Sequence, residues 1–262
     1  MIRVVAVANQ KGGVGKTTTA VNVAACLAQS GERVLLIDMD PQGNATSGLG
    51  VDHQRVESGV YGVLVEGTPL ARACRQTAVD GLSLVPAGPD LAGAEIELVA
   101  MVEREGLLRR ALEPEIERYS LVLIDCPPSL GLLTVNALVA SEAVLIPIQC
   151  EYYALEGVSQ LLSAVQRVRR GYNVDLAILG VVLTMLDART NLCLQVAEEV
   201  KRAFRGKVFR SAVPRNIRLS EAPSHGLPIG IYDGRSRGAE VYADVAKEVL
   251  VRARAEASRS RA

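Results

Sequence analysis

The sequence predicts an α/β fold, a single-domain doubly wound, mostly parallel sheet flanked by helices. Short, almost uninterrupted apolar runs rich in β-branched residues alternate with longer segments of helical period. Strands that read as continuous apolar runs are buried on both faces, as in parallel sheets. Glycines and carboxylates cluster immediately after several of these runs, and the carboxyl ends of parallel strands are where such sheets bind ligands. A length of 262 residues with 49% apolar content is enough for one large core.

Taken in order, the strands are expected at Ile2–Ala8, Arg33–Asp38, Leu82–Pro86, Leu121–Asp125, Ala143–Ile148 and Ala177–Thr184. Helical faces fall between or after them: Leu155, Val158, Leu161, Leu162, Val165 and Val168 on one, Leu192, Val196 and Val200 on another, Val241, Val245 and Val249 on a third. The long apolar stretch Leu132–Cys150 is broken by Asn136, Ser141, Glu142 and Pro147, so it reads as a helix followed by a strand and not as a membrane span. From Arg252 to Ala262 bulky apolar residues are missing. Residues 1–251 are therefore expected to form the domain, and 252–262 a basic, frayed tail.

Acidic and basic residues balance at 29 each, so affinity for nucleic acid or membrane must come from a local patch. The five cysteines stand singly, without zinc spacing. They read as small buried hydrophobes in a reducing cytosol. The chain opens directly into an apolar strand, with no signal-peptide pattern, and a soluble, cytoplasmic protein is expected.

After the first strand comes "NQKGGVGKTTT", Asn9 to Thr19. Gly12, Gly13, Val14 and Gly15 can turn backbone amides inward as an anion nest, and the following helix N-terminus adds positive potential. Lys16 can reach the β- and γ-phosphates, Thr17 can ligate Mg2+, and Thr18 completes the loop. This is a nucleoside triphosphate site. Asp38 and Asp40 follow the second strand and Asp125 ends the fourth, where an acid can hold Mg2+ directly or through water. A turn or helix-capping aspartate is the plain alternative for Asp125.

The loop departs from the ordinary phosphate-loop pattern, because Gln10 replaces the first glycine and Lys11 follows it. With "KGGVGKTT" it resembles the deviant Walker A ATPases, a P-loop family related to MinD. That resemblance implies that Lys11 crosses a dimer interface to the partner's nucleotide, leaving a solvated loop lysine as the alternative. It also implies that Asp125 is the Walker B aspartate and that Asp40 is tied to the attacking water, with Asp38 nearer the metal; the division between the two aspartates stays open. The segments Asp40-Pro41-Gln42-Gly43 and Cys126-Pro127-Pro128 would sense the γ-phosphate. Pro214 and Asn216 would contact adenine, or serve only as loop formers.

"DMDPQGNATSGLG" and "PRNIRLSEAPSHG" resemble, more narrowly, the ParA/Soj chromosome-partitioning branch. Seven cations with no acid run from Lys201 to Arg218. Among them Lys201, Arg202, Arg205, Arg215 and Arg218 are the expected contacts to nonspecific double-stranded DNA, and the resemblance implies this role for Arg218 and, upstream of the run, for Arg189. A solvated, salt-bridged helix face is the alternative. The resemblance further implies an ATP-dependent homodimer, nucleoid association, weak ATPase activity and stimulation by a ParB-like centromere-binding protein. Two rivals share the loop: a MinD-like membrane-positioning ATPase, for which no interfacial C-terminal helix is evident, and a metabolic enzyme or iron–sulfur reductase.

Overall fold

In the computed structural model, which describes residues 3–151 and 154–259, the apolar runs become β1 (Val4–Val7), β2 (Val34–Asp38), β4 (Leu82–Val85), β5 (Leu121–Asp125), β6 (Ala143–Gln149) and β7 (Ala177–Thr184). Together with a short β3 (Arg75–Gln76) they form one seven-stranded sheet in the order β3-β4-β2-β5-β1-β6-β7. Every pairing is parallel except that of β3, a two-residue edge strand antiparallel to β4. Sequence periodicity misses β3 because two polar residues carry no pattern.

Alternation within each strand explains the unbroken apolar runs. Val4, Ala6, Leu35, Ile37, Val122 and Ile124 feed the core on one face; Val5, Val7, Leu36, Leu121 and Leu123 feed the core on the other. The first face is covered by α3 (Val60–Val65), α4 (Leu70–Ala73), α5 (Leu91–Leu98), α6 (Leu107–Leu112), α7 (Leu132–Ala140), α8 (Ala154–Gly171) and α9 (Asn191–Ala203). Covering the second are α1 (Lys16–Gln29), α2 (Asn44–Gly48), α10 (Ile217–Glu221), α11 (Ile229–Tyr232) and α12 (Arg237–Arg259).

The expected α8 and α12 faces are buried at Val158, Leu161, Val165 and Val168 and at Val241, Val245 and Val249; the side chain of Leu155 lies outside the described residues. In α9 the face is displaced. Leu192 is exposed, and the buried stripe runs through Cys193, Val196, Ala197 and Val200, because the helix turns its small cysteine toward the sheet.

The boundary expected after residue 251 does not fall there. The last helix continues to Arg259, Ala253 is fully buried, and Arg252 is built into the body. Its guanidinium donates to the carbonyls of Leu179, Lys207 and Val208, pairs with Glu248 at 2.7 Å, and lies 4.2 Å from the Phe209 ring centroid. In sequence, a missing apolar residue reads as a missing anchor, whereas here an arginine that satisfies carbonyls holds the helix down instead. Residues 260–262 lie outside the described residues.

Candidate nucleotide-binding site

Sheet order brings the motifs together. β1 lies between β5 and β6, and β2 lies beyond β5, so the loop leaving Val7 starts beside Asp125, its register partner. Asp38 is the next register partner of Asp125. Two carboxylates and the glycine loop thus share one end of the sheet. Gly13 and Gly15 carry φ of 73° and 84°, the left-handed conformation that lets successive amides face one side. α1 then opens without a side-chain cap or an acidic residue in its first turn, leaving its amino end available to an anion.

These elements border a cavity of about 600 Å³ lined by Gly12, Gly13, Gly15, Lys16, Thr17 and Thr18 from the loop, with Asp40 and Pro128 opposite. A neighbouring cavity of about 190 Å³, also touched by Gly15 and Thr18, contains Pro214 and Asn216. The first is within the usual size range of a small-molecule site. Asn216 has a plain structural role as well, since its side-chain oxygen caps α10 by accepting from Arg218 N at 2.9 Å.

Lys16 is only 6% exposed, and its ammonium donates to the Lys11 carbonyl at 3.2 Å. Burial lowers its pKa, an effect opposed by Asp125, Cys126 and Asp40. Asp125 is fully buried. Neither of its carboxylate oxygens has a hydrogen-bond partner. Burial first, then the charge of Asp38, push its pKa well above the carboxylate range; Thr17 faces it and offsets part of this without reaching hydrogen-bonding geometry. An orphaned buried carboxylate opposite a threonine hydroxyl, at the mouth of a phosphate loop, fits a hard divalent cation with oxygen ligands.

Asp38 differs. One oxygen accepts from Thr46 N and Oγ1 at 2.8 and 2.7 Å, and the other accepts from Asp40 N at 3.2 Å. Burial still raises its pKa to about 6 against those donors. The protein already uses both oxygens to hold the β2–α2 loop. Asp40 caps its own turn, accepting from Gln42 N at 3.0 Å while Gly43 N donates to the Asp40 carbonyl at 2.9 Å.

Lys11, in contrast to Gly12 and Lys16, is absent from the cavity lining. Its ammonium pairs with Glu151 at 3.0 Å, with the lysine side chain 32% exposed. Its backbone N donates to Asn9 Oδ1 at 3.1 Å, and Asn9 Nδ2 donates to the Pro147 carbonyl at 2.7 Å. Val14 is buried beneath the loop, where Thr184 Oγ1 donates to its carbonyl at 2.8 Å.

The cations divide into two groups. Arg189 follows β7, and Arg215 N donates to the Leu186 carbonyl at 3.4 Å; with Arg218 at the start of α10 they lie at the nucleotide end, where Arg215 lines the smaller cavity. Lys201, Arg202 and Arg205 sit at and beyond the far end of the 13-residue α9, roughly 15–20 Å away at 1.5 Å per residue. Acids hold several of them: Arg189 pairs with Asp187, Lys201 with Glu198, and Arg218 with Glu221 and Asp233. Arg205 and Arg215 make no salt bridge among the described residues, although Arg215 is near enough to Asp187 to help lower its pKa.

Residues that sequence reasoning misses are supports. Thr46 holds Asp38. Asn22 ties α1 to α11 by accepting from Ile229 N at 2.7 Å, and Tyr242 meets Thr19 at 3.2 Å. None belongs to a motif with a spacing of its own. Cys126, Cys150 and Cys193 are buried, Cys26 and Cys74 partly so, and all five are free. No helix among the described residues is long and apolar enough to cross a membrane.

A family model described as an AAA domain matches residues 2–178. The sporulation initiation inhibitor protein Soj of Bacillus subtilis is 61% identical over 95% of this chain and 98% of its own. The chromosome partitioning protein ParA of Myxococcus xanthus is 52% identical over 95% and 88%. Among solved structures, cobyrinic acid a,c-diamide synthase from Mycobacterium smegmatis with bound ADP and magnesium superimposes with a TM-score of 0.83. It is 40% identical and covers 94% of this chain and 93% of that one.

Proposed function

The chain belongs to the ParA/Soj family of chromosome-partitioning ATPases, and we propose that it works as a switch in which ATP joins two subunits and the pair holds DNA. It hydrolyses ATP with Mg2+ as the accompanying ion. Thr17 and Asp125 would hold that ion, which when bound neutralises phosphate charge. Asp38 shapes the loop from behind. Lys16 and the loop amides bind the β- and γ-phosphates, Asp40 orients the attacking water, and Pro214 and Asn216 border the adenine.

One observation carries the dimer. Of the loop's two lysines, one is buried in the cavity of its own subunit and the other is held outside it. A loop that surrounds the phosphates with amides and Lys16 leaves the γ-phosphate's far side open. A cation supplied by a second subunit stabilises charge there, as an arginine finger does.

DNA contact follows from the cations at the nucleotide end. Arg215 lines the smaller cavity, with Arg218 three residues on and Arg189 three residues after Leu186, to whose carbonyl Arg215 N donates, so closing two subunits on ATP would present two such groups together. Lys201, Arg202 and Arg205 extend the footprint. Such contacts bind phosphates without reading sequence. Localisation on the nucleoid and stimulation by a ParB-like centromere-binding protein complete the cycle, with hydrolysis returning the chain to the monomer.

The reading is tested by duplex DNA binding with ATP, ADP or no nucleotide at two salt concentrations, comparing the parent with Lys11→Ala and Arg218→Ala. Salt-sensitive binding that requires ATP and is lost in both variants is the expected result; equal binding with ADP would overturn it. Asp40→Ala should bind ATP yet persist as a dimer without turnover. An amide-forming synthase reading, suggested by the 40% identical structure, has less behind it. Drawing nitrogen from glutamine needs an activated nucleophile, commonly a cysteine paired with a histidine, and no hydrogen bond joins a histidine to a cysteine among the described residues.

A further inference from the structure

Lys11 is fastened to the end of β6 in two ways, and they differ in kind. Its backbone is held through Asn9, whose amide is anchored on the Pro147 carbonyl. Among the described residues, its ammonium is held by Glu151. Glu151 is itself oriented: its backbone N donates to the Gln149 carbonyl at 2.9 Å, and Gln149 Nε2 donates to its second carboxylate oxygen. The loop that carries Lys11 is therefore fixed, and only the lysine side chain is free to exchange one anion for another.

We propose that Glu151 is a latch on Lys11: in the resting subunit it occupies the ammonium that closure requires, and only a γ-phosphate from a second subunit displaces it. This rests on the reading of Lys11 as a lysine that acts across the dimer. The argument is one of competing anions. The Lys11–Glu151 pair has side chains 32% and 47% exposed, so it is screened by water and weak, typically shifting an equilibrium by about 1.5–5-fold. A γ-phosphate carries more charge than a carboxylate and would meet Lys11 in a site closed to water, where the same attraction is much stronger. ATP therefore wins the lysine from Glu151. ADP presents no γ-phosphate, so the carboxylate keeps it. The latch has to be weak, since a strong one would block the ATP dimer as well.

Glu151 is on this account a positioning residue. It touches no phosphate in its own subunit, and its effect passes through Lys11. Removing it should leave nucleotide binding to the isolated subunit unchanged while making closure easier and less selective for ATP.

Two measurements on the full chain test the proposal, using the parent, Glu151→Gln, Glu151→Asp and Lys11→Ala. The first is the rate at which an amine-acylating reagent modifies Lys11 without nucleotide, read by mass spectrometry against the other lysines. Glu151→Gln should raise it about 2–5-fold and Glu151→Asp should stay near the parent. An unchanged rate in Glu151→Gln would show that the pair does not hold Lys11 in solution and would overturn the latch. The second is the dimer dissociation constant by sedimentation with ATP and with ADP, alongside binding of a fluorescent ATP analogue to dilute monomer. Glu151→Gln should tighten the ATP dimer about 2–5-fold and raise the ADP dimer fraction, with monomer affinity for the analogue unchanged. Faster labelling with an unchanged or weaker dimer would overturn the latch while leaving the contact real. If Lys11→Ala dimerises on ATP as the parent does, the action of Lys11 across the dimer is wrong, and the latch falls with it whatever Glu151→Gln does.

Discussion

Replacing Asp125 with asparagine should make the nucleotide-free protein more stable and the nucleotide-bound protein less so. Asp125 is fully buried, its oxygens are unpartnered, and its register partner across β2 is another buried carboxylate, Asp38. Asparagine keeps the shape, removes the charge and takes away one like-charged neighbour of Asp38, with Asp40 still beside it. The amide's own polar atoms stay unpartnered, so what is relieved is the buried charge and its repulsion with Asp38, worth about 1–3 kcal/mol. At roughly 2–4 °C per kcal/mol for a domain of this size, the apo Tm should rise by about 2–12 °C. With Mg2+ and ATP the parent gains ligand stabilisation, about 3 kcal/mol at a hundredfold excess over Kd, and the variant should lose most of that gain. Differential scanning fluorimetry with and without Mg-ATP checks both halves. A lower apo Tm in Asp125→Asn, or an undiminished Mg-ATP increment, would refute the view that this carboxylate is held in an unfavourable place for the sake of the ion.

Three further outcomes are expected. Thr46→Val removes a hydroxyl that donates to Asp38 at 2.7 Å and accepts from Ala87 N at 2.9 Å, so urea denaturation should show a loss of about 2–4 kcal/mol; a loss under about 0.5 kcal/mol would count against Asp38 as a loop anchor. Arg252→Ala forfeits three partly buried carbonyl contacts and the Phe209 ring and should cost about 2–4 kcal/mol, whereas exposed Arg254→Ala should change stability by less than about 0.5 kcal/mol. Truncation after residue 251 should then destabilise at least as much as Arg252→Ala. The Asp38 carboxyl, raised from its ordinary 3.8 to about 6, binds its proton more tightly folded than unfolded. Its contribution is fully present below its unfolded value of 3.8 and is lost as pH rises through about 6. Thermal melts of the apo protein should accordingly show this group favouring the acidic side of that window over neutral pH, and Asp38→Asn should flatten that dependence.

How far the sequence can be read depends on whether a residue's role is local. Six strands are legible because each is buried on both faces and shows it as an unbroken apolar run. The glycine loop is legible because strand, nest and helix start are contiguous. Asp38 and Asp125 can be named as a pair, since both end apolar runs, yet their difference is invisible. It depends on Thr46, which returns to Asp38 from α2, while nothing returns to Asp125. A carboxylate already satisfied by the protein shapes a loop, and one left unsatisfied keeps its oxygens available. No spacing in the chain records which is which. The basic run from Lys201 to Arg218 misleads in the opposite way. Adjacent in sequence, it is divided in space by the length of α9 and by the extended return that pairs Val208 with Val181 and Pro214 with Leu186. That return brings Arg215 back to Arg189, a neighbour 26 positions earlier in the sequence, and so gathers at the nucleotide end cations that the linear charge pattern assigns elsewhere. The same holds for Glu151. Its partner is 140 residues away, joined to it only because β1 and β6 are adjacent in the sheet, which is why the loop's second lysine is recognisable from sequence and its latch is not.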